Sequence, residues 1–205
     1  MDQVHEGALS ALEAARRGAH YRLMQGIAAA LLDVTHGNEN AGARHVRARV
    51  YYERHMAAYE QALTCSGWRR KRFLERSLEL ANLSRAEART DVLDVLHAEM
   101  NISGLLLPAL ERAQEGFLLS ESVSERAEDF AAAHGTSEED VLRAQRVALN
   151  CYIHRGRIIV TGGGSKAKLD LLMHKIRANR VYIEKFRFID SIKDDITSFE
   201  TYLRS

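Results

Sequence analysis

The near-absence of proline is the feature that most limits how this chain can fold. One proline, Pro108, occurs among 205 residues, and the rest of the sequence is rich in Ala, Leu, Glu and Arg. Proline interrupts helices because it lacks a backbone N–H and clashes with the preceding turn, whereas those four residue types favour helix. The composition therefore predicts an all-α protein, and a chain of this length can bury a substantial core.

Apolar residues recur every three or four positions through the N-terminal three quarters of the chain, which predicts a multi-helix bundle. The first predicted helix covers residues 3–34 without interruption. Ser84 followed by Glu87, and Ser137 followed by Asp140, have the spacing of a capping box and predict helix starts. The other expected helices cover residues 43–63, 68–82, 84–100, 124–134 and 138–151.

A short segment rich in β-branched residues and a glycine run follow this bundle. Residues 152–160 contain Ile, Val and Tyr at the density typical of a β-strand. The run Gly162-Gly163-Gly164 then predicts a flexible joint or a tight turn. We therefore expect three parts, which are a helical bundle at 1–151, a short β arm with the glycine joint at 152–165, and a long C-terminal coiled-coil-like helix at 166–205.

The C-terminal segment has the clearest apolar periodicity in the chain. Apolar residues alternate at spacings of three and four, with one additional three-residue step, which is typical of a coiled-coil seam. Such a row requires a partner surface, because its large apolar side chains would otherwise stay in water. Asn179, the one polar member, is a residue type that fixes register. The seam comprises Leu169, Leu172, Ile176, Asn179, Ile183, Phe186, Ile189, Ile192, Ile196, Phe199 and Leu203.

This seam leads to the first function hypothesis, which is a non-enzymatic scaffold, adaptor or assembly protein. Its partner would be another protein or a second copy of the chain, and we expect a homo-oligomer. The sequence leaves open whether the seam packs within one chain or between chains.

Basic residues gather around the glycine run and the start of the C-terminal segment. From Arg143 onward the chain has thirteen basic and six acidic residues. Glycines before a helix N-terminus can present backbone N–H groups to an anion, and lysines add charge. Nucleic-acid binding is therefore the alternative hypothesis, and the solvated face of a helix is the competing interpretation. The residues assigned to this alternative are Arg155, Arg157, Gly163, Gly164, Ser165, Lys166, Lys168, Lys175 and Arg177.

Residues 128–147 have the spacing of a helix-turn-helix, with residues 155–160 in the place of a wing. The recognition helix would begin at Ser137-Glu138-Glu139-Asp140, and its first residues would enter the major groove. Carboxylates at that position would face a dense row of phosphates. A helix N-terminus prefers negative charge, so we interpret the acidic start as an ordinary cap.

Charge is unevenly distributed along the chain, although the net charge is only +1. Residues 85–140 contain thirteen acidic and four basic residues, so an acidic middle separates two basic parts. This fits internal charge complementarity, head-to-tail self-association, or an anionic partner for the ends. In the first basic part, Arg69-Arg70-Lys71-Arg72 follows Trp68, and this cluster would extend a nucleic-acid surface if the fold brought the two basic parts together.

The residue types that perform catalysis occur here without a catalytic pattern. Cys151 and His154 are close in sequence, yet a nucleophile and its base need alignment in space and an orienting third group. The nine histidines form no helical metal-ligand pair, and Cys65 and Cys151 have no metal-ligand spacing. We therefore predict a protein without enzymatic activity, cofactor or metal.

The sequence also carries no pattern typical of export or membrane insertion. Residues 1–12 lack the positively charged start and apolar core of a signal peptide. The most apolar stretches, residues 26–32 and 102–110, are too short to span a bilayer. We expect a cytoplasmic protein without a membrane span, in which the cysteines stay reduced.

Overall fold

The chain is helical throughout almost all of the residues that its computed structural model describes, which are 3–89, 91–106, 111–133, 135–179 and 189–205. These residues form nine α-helices and no strand, which confirms the all-α helical bundle. The helices are α1 (Gln3–Arg17), α2 (Tyr21–Val34), α3 (Ala41–Leu63), α4 (Gly67–Glu87), α5 (Val92–Leu105), α6 (Ala113–Ala132), α7 (Glu138–Thr161), α8 (Lys166–Ala178) and α9 (Ile189–Arg204).

Two compact units make up the chain, unit 1 at Met1–Ala98 and unit 2 at Glu99–Ser205. The boundary between them falls within α5. None of the helices in the described ranges is long and apolar enough to cross a membrane.

The continuous helix predicted over residues 3–34 is wrong, because a tight turn separates α1 from α2. The backbone reverses at Ala19, whose φ is +56°. The amide of His20 donates to the carbonyl oxygen of Ala15 at 2.8 Å, and the amide of Ala19 donates to that of Arg16 at 2.9 Å. This pair of hydrogen bonds defines a Schellman motif, which ends a helix and releases the chain in a new direction.

The core of unit 1 lies where α1 and α2 pack on α3. Leu12, Met24 and Val46 are fully buried there. Glu53 is also buried, at 2% exposure, and its carboxylate accepts a hydrogen bond from Arg16 at 2.6 Å. A buried carboxylate requires such a partner, because an unpaired charge in the interior is strongly destabilising.

α3 and α4 form an antiparallel hairpin within unit 1. His55 of α3 lies beside Ser77 of α4, and the hydroxyl of Ser84 donates to the carbonyl oxygen of Ala48 at 2.9 Å. The helix start predicted at Ser84 with Glu87 is therefore wrong, because Ser84 lies inside α4. Its hydroxyl bonds to the neighbouring helix and leaves its own backbone free to continue the helical ladder.

The end of α4 is capped by two arginines of α3. Arg44 donates to the carbonyl oxygens of Ala86 and Glu87 at 3.2 and 3.4 Å, and Arg47 pairs with the carboxylate of Glu87 at 2.9 Å. Both arginines are buried. Cations are favourable at a helix C-terminus, where the last carbonyl groups lack partners within the helix.

Unit 2 is organised around an antiparallel hairpin of α6 and α7. The hydroxyl of Ser120 donates to the carbonyl oxygen of Cys151 at 2.7 Å, and Arg155 donates to the hydroxyl of Ser124 at 2.7 Å. α6 begins at Ala113, well before the start predicted at residue 124.

The cap predicted at the start of α7 is confirmed. The hydroxyl of Ser137 accepts a hydrogen bond from the amide of Asp140 at 3.1 Å. Three acidic residues occupy the first turn of α7, where they complement the positive end of the helix dipole. Residues 138–140 therefore stabilise the start of α7 through their negative charge.

The β arm predicted at residues 152–160 is wrong, because those residues form the second half of α7. Tyr152, Arg155 and Ile159 follow one another at three- and four-residue spacing, and all three are buried. Burial of one helical face here overrides the β propensity of the isoleucines and valine.

The glycine run was predicted to be either a flexible joint or a tight turn, and the structure shows a tight turn. The amide of Gly164 donates to the carbonyl oxygen of Ile159 at 2.8 Å, and the amide of Gly163 donates to that of Val160 at 3.4 Å. Gly163 has a φ of +64°, the left-handed conformation that a Schellman motif places after a helix. Ser165 follows as the N-cap of α8, where its hydroxyl accepts from the amide of Lys168.

The long C-terminal helix predicted at residues 166–205 is not a single element in the described residues. α8 ends at Ala178, and α9 is a separate helix that contacts both α7 and α8. Residues 180–188, between these two helices, lie outside the described ranges. An apolar spacing of three and four residues indicates that a segment buries one helical face. The same spacing occurs in one long helix and in two short ones, so it does not predict where a helix ends.

Candidate functional site

The described residues of the predicted seam lie mostly inside unit 2. Leu169, Leu172 and Ile176 of α8 are buried, and so is Phe199 of α9. Ile196 and Leu203 are partly buried. Ile183 and Phe186 lie outside the described residues, as do the side chains of Ile189 and Ile192.

α9 is held in unit 2 by one buried ring and several polar contacts. A Cβ on Gly156 would lie 2.5 Å from the ring of Phe199, so glycine is what allows α9 to approach α7 this closely. Arg157 makes two hydrogen bonds to the carboxylate of Asp195 at 2.8 and 2.6 Å. The hydroxyl of Tyr202 donates to the carbonyl oxygen of Gly164 at 2.9 Å.

Asn179, predicted to fix the register of a coiled coil, instead follows the last residue of α8. Its side-chain amide donates to the carbonyl oxygen of Lys175, one turn earlier, at 2.9 Å. Its backbone amide bonds to the carbonyl oxygens at the end of the same helix. The residue therefore satisfies the helix end, a role for which a short polar side chain is well suited.

The basic residues assigned to nucleic-acid binding are largely engaged within unit 2. Arg157 pairs with Asp195, Arg177 with Glu200 at 2.9 Å, and Lys175 with Glu128 at 3.1 Å. Arg155 is buried between α6 and α7, while Gly163, Gly164 and Ser165 form the turn into α8. Lys166 and Lys168 remain exposed.

A basic and aromatic surface at the start of α4 is more open than the C-terminal residues. We define this α4 surface as Trp68, Arg69, Arg70, Lys71 and Arg72, all of which are exposed. Trp68 is the one tryptophan of the chain and is 68% exposed, an unusual position for so large an apolar side chain. The guanidinium of Arg69 lies 5.6 Å from the centre of its ring, within cation–π range.

A cavity of about 550 Å³ opens beside this surface. Three arginines and no acidic residue occur among its described lining residues, which are Cys65, Trp68, Arg69, Arg72, Phe73 and Arg76. Arg76 pairs with Glu79, whereas Arg70, Lys71 and Arg72 form no ion pair within the described part of the chain. The cavity is therefore lined by cations and aromatic rings.

The position of these cations on α4 is electrostatically unfavourable in isolation. The first turn of α4 carries no acidic residue, and the hydroxyl of its N-cap, Ser66, makes no capping hydrogen bond. Cations at a helix N-terminus repel the positive end of the helix dipole. On the neighbouring helix α3, burial and then the charge of Arg76 lower the pKa of Arg54. An anion bound at the α4 surface would relieve the repulsion.

In unit 2, burial shifts the pKa values of a cysteine thiol and a histidine ring. Burial raises the pKa of the Cys151 thiol to about 12, so it is protonated at neutral pH and is not a reactive thiolate. Burial also lowers the pKa of His154 to about 3, and its Nδ1 lies 3.3 Å from the hydroxyl of Ser103. Cys151 and Ser103 are buried, and His154 is partly buried.

Metal ligands are not gathered into a site within the described ranges, where no group of three His, Cys, Asp or Glu side chains has the arrangement to hold an ion. Comparison with family models, curated proteins and solved structures finds no match for this chain. Function must therefore be inferred from the residues themselves.

Proposed function

We propose that this protein is a non-enzymatic helical binding protein that holds single-stranded nucleic acid on the α4 surface. The observation that supports this is an exposed tryptophan beside four exposed cations and a cavity lined by arginines. We expect the protein to act in the cytoplasm, where both of its free cysteines would stay reduced.

The chemistry of the α4 surface suits a single strand better than other anionic partners. Single strands bind through bases stacked on aromatic rings and through phosphates held by Lys and Arg. Trp68 offers an accessible ring, and the four cations that follow it offer the charge. A duplex would hide its base faces and so make little use of an exposed tryptophan.

The location differs from the one predicted at the C-terminal basic residues. There, Arg157, Lys175 and Arg177 already have carboxylate partners within unit 2. Phosphate binding would have to break those ion pairs first. The α4 surface requires no such exchange.

Partner binding through the C-terminal seam, including self-association, is the second candidate. It rests on the limited burial of α9, in which Phe199 is the one fully buried residue among those with described side chains. Release of α9 would expose Leu169, Leu172 and Ile176 to a second copy or another protein. Light scattering of the native protein and of a Phe199→Ala variant tests self-association, because a mass that stays monomeric in both would contradict it.

Fluorescence of the single tryptophan tests the nucleic-acid proposal directly. We expect titration with an oligothymidylate at low salt to quench Trp68, because a stacked base contacts the indole ring. Anisotropy of a labelled oligonucleotide should show at least about fivefold weaker binding for Trp68→Ala, since stacking contributes about 1–3 kcal/mol per base. Poly-glutamate should compete poorly, since it supplies charge without bases.

A matched pair of charge variants separates this surface from general electrostatics. Arg70→Gln with Arg72→Gln should lower the salt dependence of binding by about 0.7 for each lost phosphate contact. Arg22→Gln with Arg89→Gln, which removes two exposed cations elsewhere in unit 1, should leave the slope unchanged. Equal losses in both variants, or binding without quenching of Trp68, would contradict the proposal.

A further inference from the structure

Unit 2 contains a second groove that the proposed function does not use. It lies between the first half of α6, the end of α7 and the start of α8, and its volume is about 590 Å³. Pockets that hold small molecules usually have volumes of about 300–1,000 Å³. The groove is therefore large enough for a small ligand.

The walls of the groove are apolar and partly open to solvent. Phe117, Leu118, Ile158 and Leu171 line it. Leu118 is 55% exposed and Leu171 is 64% exposed. An apolar ligand in the groove would cover Leu118 of α6 and Leu171 of α8 and remove their apolar surface from water.

One polar group in the lining is buried without full satisfaction. The side chain of Arg155 is 7% exposed, and its Nε has no hydrogen-bond partner among the described residues. Its other nitrogens lie 3.4 Å from Glu121 and 2.7 Å from the hydroxyl of Ser124, and its guanidinium stacks over the ring of Tyr152. Buried donors rarely lack acceptors, so the guanidinium of Arg155 keeps unused hydrogen-bonding capacity beside the groove.

The start of α8 also lines the groove. Gly164, Ser165 and Lys168 line it, which brings the positive end of the α8 dipole and a lysine to the groove. The charged lining residues are two cations, Arg155 and Lys168, and one carboxylate, Glu121. Their sum is one positive charge, which matches a ligand with one negative charge.

From these features we propose that the groove binds a small amphipathic monoanion, an alkyl chain that ends in a carboxylate. The carboxylate lies between Arg155, Lys168 and the start of α8. The alkyl chain lies along Phe117, Leu118 and Leu171, where it covers the exposed leucines. This site and the α4 surface belong to different units, and their proposed ligands differ: an alkyl carboxylate here and single-stranded nucleic acid at the α4 surface.

Isothermal titration of the full chain with three probes tests the assignment. Decanoate, used below its micelle-forming concentration, should bind at one site. Acetate, which has the head group alone, and decyltrimethylammonium, which has the chain with the opposite charge, should bind at least about tenfold more weakly. No saturable decanoate binding, or equal binding of decyltrimethylammonium, would overturn the proposal.

Two exposed positions allow the site to be altered without disturbing the core. Lys168→Gln should weaken decanoate binding about three- to fivefold, while Lys166→Gln, at the same helix start but outside the groove, should not change it. Leu171→Ser should weaken it about fivefold, while Leu23→Ser, at an equally exposed leucine of α2, should not. Unchanged affinity in both groove variants would place decanoate elsewhere and overturn the assignment.

Discussion

At the scale of single residues, the reversal between α1 and α2 depends on an alanine in a conformation that suits glycine. Ala19 has a φ of +56° and is exposed, while Gly18 occupies the position before it. A Cβ in the left-handed region is strained, at a cost of about 1–2 kcal/mol. The hydrogen bonds of the Schellman motif to Ala15 and Arg16 offset this strain.

Ala19→Gly should therefore stabilise the protein. We expect a gain of about 0.5–1 kcal/mol in the free energy of unfolding, because relief of strain exceeds the greater entropy of glycine in the unfolded chain. Urea unfolding measures it. Ala11→Gly, at an exposed position inside α1, is the control and should lose about 1 kcal/mol. Similar losses in both variants would show that Ala19 is not strained.

At the scale of elements, the docking of α9 depends on one small residue of α7. Gly156 lies in the interior of α7, where a glycine normally lowers helix stability. Here the absence of a side chain makes space for the ring of Phe199, which is buried against it. Packing thus outweighs helix propensity at this position.

Gly156→Ala should destabilise unit 2 even though alanine is the better helix former. The added Cβ would lie 2.5 Å from the Phe199 ring, so the ring must move and α9 must shift. We expect a net loss of about 1–3 kcal/mol, measured by urea unfolding and by hydrogen exchange in α9. Gly26→Ala in α2, where a Cβ would meet nothing within 4 Å, should instead gain about 1 kcal/mol.

A second variant separates the steric effect from any other. In a Phe199→Ala background the ring is gone, so Gly156→Ala should become neutral or stabilising by about 1 kcal/mol. An undiminished loss in that background would mean that Phe199 does not cause it.

At the scale of the whole molecule, each unit contains a histidine whose pKa is lowered by burial, which favours the neutral form of its ring. In unit 1, burial lowers the pKa of His55 to about 4, and its Nδ1 lies 2.7 Å from the hydroxyl of Ser77. In unit 2, burial lowers the pKa of His154 to about 3. Both units are therefore expected to respond to acid.

Stability should fall as the pH drops from about 6.5 toward 4. Below pH 6.5 the unfolded chain protonates both histidines, whereas the folded chain does not until about pH 4 for His55 and about pH 3 for His154. The unfolded state then binds more protons, so the free energy of unfolding decreases as the pH falls and is largest above pH 6.5.

Urea midpoints at pH 7, 6 and 5 measure this dependence. The double variant His55→Gln with His154→Gln should lose much of the change between pH 7 and 5, because it removes the two histidines whose pKa is lowered by burial. An unaltered pH dependence in the double variant would assign the effect to other titrating groups.

Much of the helical content followed from local features of the sequence. The scarcity of proline predicted an all-α chain, and the predicted start of α7 was correct because Ser137 and Asp140 form their cap within four residues. The bounds of α3 were also close to the prediction, since its apolar spacing is uninterrupted. Each of these features depends on neighbours along the chain, which a sequence displays.

The predictions from the sequence were wrong where contacts between residues far apart in the chain determine the structure. The strand predicted at 152–160 is helix because Tyr152, Arg155 and Ile159 pack on α6 and α8 in one helical face. The basic cluster of the α4 surface is visible in the sequence. The sequence does not show that Trp68 is exposed or that the C-terminal cations pair with carboxylates. The groove of unit 2 left no sequence signal, since its lining comes from three helices.

By itself, the sequence determined that the chain is helical, where several helices begin, and that its C-terminal segment buries an apolar row. Those properties depend on backbone propensity, capping and periodicity, which act over a few residues. Only the tertiary structure decided that the row divides between α8 and α9, that Phe199 fills the space above Gly156, and which cations remain unpaired. These outcomes depend on packing and charge pairing between residues far apart in the chain, so no local pattern could specify them.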